Sequence, residues 1–169
     1  AVLGGGFIGS ELAASLSSTG RAVTMVFPEE AVGARTYPPD LAAYLTRTFR
    51  EHGVTVLAGD SVAAVEWRGD HDVVRTASGL ELPADVVVAG LGIRPETALA
   101  EAAGIRCGDG IEVDAFLETS APGVYAAGDV ASFPSEPLGG RVRVEHEDAA
   151  LTMGRTAGRN LAGAKERYD

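Results

Sequence analysis

The stretch Gly4-Gly5-Gly6-Phe7-Ile8-Gly9-Ser10-Glu11, close to the start of a chain of 169 residues, decides the fold. The apolar residues Ala1-Val2-Leu3 precede it, and Ile8, Leu12 and Leu16 then recur every four residues, as on one face of a helix. The pattern predicts a strand, a tight turn and a helix from Phe7 to Thr19. This order of elements is typical of the first unit of an α/β domain.

The glycines of this turn match the pattern G-x-G-x-x-G at Gly4, Gly6 and Gly9. The first glycine makes the tight turn, the second lets the backbone approach a pyrophosphate, and the third lets helix and strand pack closely. The pyrophosphate would lie at the positive N-terminus of the helix. We therefore expect a dinucleotide site here. The alternatives are a glycine-rich turn that binds nothing and a site for a methyl donor such as S-adenosylmethionine.

An acidic residue follows the second predicted strand. Glu29 lies about 20 residues beyond Gly9, where a carboxylate accepts hydrogen bonds from the hydroxyls of an adenine ribose. The same carboxylate would repel a 2′-phosphate, so the sequence favours NADH over NADPH. Glu30 could take this role instead, and Arg35 in the next loop could reach a phosphate. The alternative without a function is a pair of solvated acids after a proline.

The remaining sequence falls into stretches with two different patterns of apolar residues. Helices and buried strands alternate first, and short alternating segments separated by Gly69-Asp70 and Ser78-Gly79 then predict an antiparallel meander. We expect strands at 22–27, 54–57, 85–89, 111–113 and 123–126, helices at 38–52, 95–103 and 147–161, meander segments at 61–67, 72–77 and 80–82, and a loop through 134–140. The predicted fold is a Rossmann-like three-layer α/β domain over residues 1–107, followed by a second portion over residues 108–169.

Composition limits the classes of partner. The net charge is −10, from 14 Lys and Arg against 24 Asp and Glu, which argues against nucleic acid or an anionic membrane surface as a partner. Cys107 is the single cysteine, so no disulfide can form within this sequence, and a cytoplasmic location is expected. No spacing of histidine, cysteine and carboxylate predicts a metal site.

Four stretches together resemble a known family. They are Gly4–Glu11, Val86–Pro95, Thr119–Val130 and Arg143–Ala150. They resemble the two NAD-domain motifs, the second FAD motif and the last-helix segment of the pyridine nucleotide-disulfide oxidoreductase superfamily, whose members are FAD-dependent NAD(P)H oxidoreductases. The last stretch is most similar to the apoptosis-inducing factor and ferredoxin reductase-like branch. The resemblance implies that residues 108–169 are the C-terminal part of a discontinuous FAD-binding domain.

The resemblance implies roles for several residues on the NADH side. Phe7 would shield the nicotinamide on the face away from the flavin, and Ile8 would bind the cofactor with the glycines. Glu11 is a candidate catalytic residue near the nicotinamide amide, or it would orient a flavin-side lysine outside this sequence. Gly92 would bring its backbone close to the cofactor. The alternatives without a functional role are a core position for Phe7 and a place on the exposed helix surface for Glu11.

Three residues have implied roles on the flavin side. Asp129 would hydrogen-bond the ribitol of FAD, and Glu145 and His146 would border the flavin ring at the start of the last helix. His146 is thus the second candidate catalytic residue. The helix N-terminus there would favour negative charge developing on the ring. The alternative for His146 is a position beside the helix N-cap.

The implied activity is hydride transfer from NADH to FAD, followed by electron transfer to an iron–sulfur or other redox protein, or to a small acceptor. A homodimer is possible. The alternatives are an NADH-sensing flavoprotein of the apoptosis-inducing factor type and a non-catalytic dinucleotide-binding domain. The sequence looks cut at both ends, so we expect this piece to bind FAD poorly and to be inactive alone. A redox-active cysteine pair could lie outside it, and Cys107 is expected to be structural.

Overall fold

A computed structural model describes residues 1–168, which divide into two compact units, Ala1–Ile93 and the residues from Arg94 onward. The first unit contains β1 (Val2–Leu3), α1 (Phe7–Ser18), β2 (Thr24–Phe27), α2 (Pro39–Glu51), β3 (Thr55–Ala58), β4 (Val62–Trp67), β5 (Asp72–Thr76), β6 (Glu81–Ala84) and β7 (Val88–Ala89). The second contains α3 (Ala98–Ala102), β8 (Cys107–Gly108), β9 (Gly110–Glu112), a 3-10 turn (Gly128–Val130), β10 (Ala131–Ser135), β11 (Gly140–Val142) and α4 (Glu147–Leu161).

A parallel sheet forms the centre of the first unit. Its strand order is β3-β2-β1-β7, and every neighbouring pair is parallel. The chain crosses from β3 to β7 through a separate antiparallel sheet of order β4-β5-β6. The predicted meander is therefore confirmed, and it serves as the crossover between two parallel strands.

The parallel strands bury side chains on both faces. Val2 and Met25 belong to a core cluster that includes Ala13 of α1, whereas the next residues along, Leu3 and Val26, pack with Val74 of the meander. Successive side chains of a strand point to opposite faces, so one face meets the helices and the other meets β5. The helix, sheet and meander layers confirm the predicted three-layer fold, and they explain why strand β2 has no polar alternation.

The second unit is built on a mixed sheet of order β11-β10-β9-β8. Helix α4 packs on it through Met153 and Ala157, which share a core cluster with Val113, Leu117 and Phe133. The predicted last helix is confirmed at the bounds of α4. The predicted division at residues 107 and 108 concerns cofactor domains and stays a prediction.

Two predictions for the second unit are wrong. The expected strand at 123–126 is only an isolated bridge between Glu118 and Tyr125. Its start belongs to a turn, in which Gly123 has a left-handed φ of 78° and the N–H of Val124 donates to the carbonyl oxygen of Ala121. The expected loop at 134–140 is instead the turn of the hairpin of β10 and β11 together with the adjoining strand ends, in which Pro134 pairs with Arg141. Its two prolines and two glycines belong to the hairpin strands and the turn between them, so composition alone was misleading there.

Several other elements are shorter than predicted. The expected strand at 85–89 is reduced to β7, and the expected helix at 95–103 is reduced to α3. The remaining bounds differ from the predictions by a residue or two, as helix and strand ends commonly do. Within residues 1–168, no helix is both long enough and apolar enough to cross a bilayer.

The contact between meander and sheet can be tested at Val74, which is fully buried. Val74→Ala should lower the free energy of unfolding by about 2 kcal/mol, because it leaves a cavity between two layers. The matched control is Val65→Ala. Val65 pairs with Val74 across the sheet but is 46 % exposed. Val65→Ala should therefore lower the free energy of unfolding clearly less than Val74→Ala does. Urea denaturation of the variants measures both values, and equal losses would contradict this layering.

Candidate functional site

Close backbone packing explains two of the three glycines in the turn. A Cβ on Gly4, whose φ is 114°, would lie 2.2 Å from the carbonyl oxygen of Gly90. A Cβ on Gly9 would lie 2.1 Å from the carbonyl oxygen of Gly4. Both distances are far shorter than a carbon and an oxygen allow. These two positions must therefore be glycine for β1, β7 and α1 to meet.

Gly6 is different, because nothing in the protein requires it to be glycine. No atom lies within 4 Å of the place where its Cβ would be, and its φ of −83° suits any residue. Gly6 is the N-cap of α1, without a side-chain cap and without an acid in the first helical turn. The first amides of a helix have no intrahelical acceptor. The turn therefore offers donors and open space to an anion, and the dinucleotide pyrophosphate fits this requirement.

The loop that carries the predicted ribose ligand is tied to this turn. The N–H of Gly33 donates to the carbonyl oxygen of Gly5 at 2.8 Å. Next to it, Val32 is buried, and its N–H donates to Oγ1 of Thr46 on α2 at 2.9 Å. The loop that follows Glu29 is therefore attached to the glycine turn and to α2 by hydrogen bonds from its own amides. Sequence reasoning missed this connection, because Gly33 matches no spacing rule.

Glu29 and Arg35 form an ion pair within this loop. The side chain of Glu29 is 19 % exposed, whereas that of Arg35 is 80 % exposed, and Glu30 is exposed as well. A pair open to water on one side contributes little to stability, so either partner can exchange it for a ligand. The structure thus places a carboxylate and a guanidinium together in the loop where the sequence spacing predicts recognition of a ribose hydroxyl or a phosphate.

The other NADH-side candidates lie at the surface of the first unit. Phe7 is 58 % exposed and makes an edge-to-face contact with Tyr37, with ring centroids 6.1 Å apart. Ile8 is 47 % exposed, and Glu11 and Gly92 are also exposed. The core alternative for Phe7 therefore does not hold. Exposure leaves these residues available to a ligand, and their roles toward NADH stay predictions.

In the second unit, the 3-10 turn that carries Asp129 packs against α4. Gly128 adopts a φ of 75°, and its N–H points to Sδ of the buried Met153 at 3.3 Å. A Cβ on Gly128 would lie 3.4 Å from the Cβ of Ala150, so the turn and the helix are in close contact. Asp129 is exposed, and its carboxylate makes no hydrogen bond within residues 1–168. A free carboxylate on a fixed turn fits the predicted ribitol acceptor.

His146 is itself the N-cap of α4. Its Nδ1 accepts a hydrogen bond from the N–H of Asp148 at 3.1 Å. In the neutral ring the hydrogen is therefore on Nε2, which remains free to donate. Glu147 and Asp148 are the acids of the first turn, and their carboxylates already interact with the helix dipole. Part of the positive potential predicted for the flavin is thus used by the protein itself.

Arg143 is a functional candidate that sequence reasoning did not identify. Its side chain is only 11 % exposed and contacts Asp109, Asp129 and Glu145. Arg143 is the first residue of one of the four stretches that resemble the family, but no spacing rule distinguishes it from an ordinary surface arginine. Only the tertiary structure brings its three partners to one guanidinium.

Cys107 is not activated as a nucleophile. Burial raises the pKa of its thiol above the ordinary value, and the charges of Glu101 and Glu112 raise it further. Its Sγ points to the carbonyl oxygen of Ile105 at 3.5 Å. Across the part of the chain that the structure describes, no group of His, Cys, Asp and Glu is placed to hold a metal ion.

Comparison with known proteins identifies the family. The family model for the pyridine nucleotide-disulphide oxidoreductases matches residues 1–154. The chain belongs to this family, whose members are FAD-dependent NAD(P)H oxidoreductases. The expectation drawn from the four sequence stretches is therefore confirmed at the level of the family.

Individual relatives cover the whole chain. It is 40 % identical over 172 residues to the ferredoxin reductase subunit of 5,5′-dehydrodivanillate O-demethylase from Sphingobium sp., covering 100 % of the chain and 42 % of that protein. It is 35 % identical to monodehydroascorbate reductase 3 of Arabidopsis thaliana, over 98 % of the chain and 38 % of that protein. The chain therefore spans about two fifths of the length of these relatives.

Solved structures of reductases match the fold of this chain closely. The covalent putidaredoxin reductase–putidaredoxin complex matches with a TM-score of 0.93 and 34 % identity, covering 99 % of this chain and 41 % of that one. The ferredoxin reductase of the CYP199A2 system from Rhodopseudomonas palustris matches with a TM-score of 0.93 and 35 % identity, covering 99 % of this chain and 42 % of that one.

The different tasks of the glycines can be separated by substitution. Gly9→Ala should destabilise the protein by about 3 kcal/mol or more, because its methyl group would overlap the Gly4 carbonyl. Gly6→Ala should change the free energy of unfolding by less than about 1 kcal/mol, because its methyl group enters open space. Denaturant unfolding of the two variants measures this difference. A Gly6→Ala loss as large as that of Gly9→Ala would show that Gly6 is required by packing.

Proposed function

We propose that this chain supplies the NADH site and part of the FAD site of an NADH-dependent FAD oxidoreductase. In the proposed reaction a hydride passes from NADH to FAD, and electrons then pass to a redox partner. The observation that carries the proposal is the open backbone cradle at Gly6 on the N-terminus of α1. A glycine that packing does not need, at the one position where a pyrophosphate must approach, is explained by a dinucleotide.

Residues of the first unit bind and orient the nicotinamide cofactor in this proposal. Amides of the first turn of α1 hold the pyrophosphate, and Glu29 accepts hydrogen bonds from the adenine ribose. Phe7, held against Tyr37 at one edge, covers the nicotinamide and limits the access of water. The cofactors themselves supply the hydride chemistry, so no protein acid or base is required for that step.

Residues of the second unit hold FAD. Asp129 accepts a hydrogen bond from the ribitol, and its turn is supported by Met153 below it. Glu145 and His146 border the flavin ring, and Nε2 of His146 is the free donor there because Nδ1 already caps α4. On the NADH side, Glu11 of the first unit lies near the nicotinamide amide in this proposal. These roles rest on the family resemblance and on the exposure of each side chain.

We propose an iron–sulfur protein of the ferredoxin class as the electron acceptor. The support is the name of one relative, a ferredoxin reductase subunit, and the solved complex of putidaredoxin reductase with putidaredoxin. A small organic radical is the alternative acceptor, since other relatives are monodehydroascorbate reductases. A homodimer and a cytoplasmic location remain part of the proposal, although several relatives are named as peroxisomal.

The function can be tested on the complete oxidoreductase to which this proposal assigns the chain, purified in its flavin-bound form. Under anaerobic conditions, rapid mixing with NADH should bleach the visible flavin absorbance. Gly6→Ala should raise the Kd for NADH about tenfold or more, because its methyl group enters the space of the pyrophosphate and removes charge-assisted hydrogen bonds. Unchanged NADH affinity in this variant, with normal stability, would contradict the proposed site.

The same experiment separates the proposed reductase from its alternatives. Rapid NADH oxidation on addition of a ferredoxin supports the reductase. A long-lived long-wavelength absorbance in air, with a change of oligomeric state, would replace it with an NADH sensor. Binding of NADH without any flavin reduction would leave only a dinucleotide-binding domain.

Cofactor selectivity should depend on the pair of Glu29 and Arg35. Glu29→Gln should weaken binding of NADH by about tenfold, because it loses a charge-assisted hydrogen bond to the ribose. It should also improve binding of NADPH relative to NADH, because it removes a negative charge beside the 2′-phosphate while Arg35 remains. Titration calorimetry with 5′-AMP and 2′,5′-ADP measures the ratio without any turnover.

A matched control for this pair is Arg21→Ala. Arg21 is exposed in the loop before β2, outside the segment of residues 28–38 that carries the pair. It should leave the ratio unchanged, whereas Arg35→Ala should lower the affinity for 2′,5′-ADP more than that for 5′-AMP. An Arg35→Ala variant with an unaltered ratio would show that the acid alone sets selectivity.

A further inference from the structure

One guanidinium joins three separate segments of the second unit. Arg143 follows β11 and donates from Nε to Oδ1 of Asp109 at 3.1 Å, and from Nη1 to the carbonyl oxygen of Asp129 at 3.1 Å. Its Nη2 lies 2.8 Å from Oε1 of Glu145. The segments it joins are the turn between β8 and β9, the 3-10 turn, and the residues that lead into α4.

The local backbone leaves room for this arrangement. A Cβ on Gly110, whose φ is 94°, would lie 2.4 Å from the carbonyl oxygen of Val130 and 3.0 Å from Cδ of Arg143. Glycine at this position therefore allows the stem of Arg143 to pass over the turn and reach the 3-10 turn. The planar guanidinium then serves three acceptors in different directions, which the single nitrogen of a lysine does not do in the same way.

The charges explain why the arginine is held firmly. Arg143 is only 11 % exposed, and two carboxylates offset the cost of removing its charge from water. Removing it would leave the Asp129 carbonyl without this donor. It would also leave Asp109 and Glu145, which share one cation, to repel each other. The orientation of Glu145 and of the Asp129 turn therefore depends on the same side chain.

We propose that Arg143 is a positioning residue for FAD, which sets the place of the Asp129 carboxylate and of Glu145 before the flavin binds. The proposal rests on the proposed function, because Asp129 and Glu145 are its predicted flavin contacts. Arg143 does not touch the cofactor in this proposal. It acts through the backbone of Asp129 and through the carboxylate of Glu145.

A neighbouring arginine provides a matched control. Arg141 lies two residues earlier, in β11, and its Nη2 donates to the carbonyl oxygens of Val113 and Ser132. It binds backbone carbonyls at the sheet and makes no hydrogen bond to the 3-10 turn of Asp129 among the residues described. Arg141→Ala should therefore lower stability without altering the flavin site, whereas Arg143→Ala should alter both.

The first measurement needs no flavin. Hydrogen–deuterium exchange of the flavin-free protein should show faster exchange of the amides at residues 128–131 in Arg143→Ala than in the unmodified protein, and no such change in Arg141→Ala. Slow exchange in this turn for both variants would overturn the proposal. If Arg143→Ala does not fold, Arg143→Gln and Arg143→Lys replace it, since both retain a donor and much of the stem.

The second measurement is made on the complete oxidoreductase of the proposed function. It determines the affinity for FAD and the visible circular dichroism of the bound flavin. Arg143→Ala should raise the Kd for FAD about tenfold or more and change the dichroism, Arg143→Lys should recover part of both, and Arg141→Ala should change neither. Equal effects of the two alanine variants would reduce Arg143 to a structural residue and overturn the proposal. Failure of the complete, unmodified oxidoreductase to bind FAD would count against the proposed function, and the exchange result would then decide the role of Arg143 alone.

Discussion

The close approach of three backbone segments at Gly4, Gly9 and Gly90 is the constraint on which the first unit depends. Strand β1 ends, strand β7 ends and helix α1 begins within contact of one another, and a Cβ on Gly90 would lie only 3.0 Å from the backbone nitrogen of Gly9. No side chain fits between them. The helix therefore begins directly at the carboxyl edge of the sheet, where its free amides point outward, and the cradle at Gly6 follows from this packing.

The loop after β2, which carries Glu29 and Arg35, links the same constraint to the proposed selectivity between NADH and NADPH. The hydrogen bond from Gly33 to Gly5 attaches the segment after β2 to the turn, and the buried Val32 anchors it to α2 through Thr46. Glu29 and Arg35 are thereby placed by the fold and not by their own weak ion pair. A charge pair on a fixed loop can respond to a ligand without rearrangement of the backbone.

In the second unit, side chains rather than close backbone packing hold the turn that carries a candidate cofactor ligand. The turn at Gly128–Val130 is held from one side by the sulfur of Met153 and from another by the guanidinium of Arg143. Both contacts are made to backbone atoms, so the Asp129 carboxylate stays unpaired and exposed. The cap of α4 by His146 likewise uses one ring nitrogen and leaves the other. Asp129 and His146 are therefore each held by a contact that leaves the carboxylate or the second ring nitrogen free.

Much of this was readable in the sequence because it is local. The periods of apolar residues and the glycine spacing predicted the helices, the buried strands and the meander, since residues close in sequence determine helix faces and turns. The family followed from the resemblance of four stretches to known motifs. The order of the parallel strands and the hydrogen bonds of Gly33 and Arg143 could not be predicted, because they join residues far apart along the chain and obey no fixed spacing. The hairpin of β10 and β11 is local, and it was missed because its prolines and glycines are typical of a loop. Tertiary packing alone decides which carbonyl or carboxylate lies within reach of such a donor.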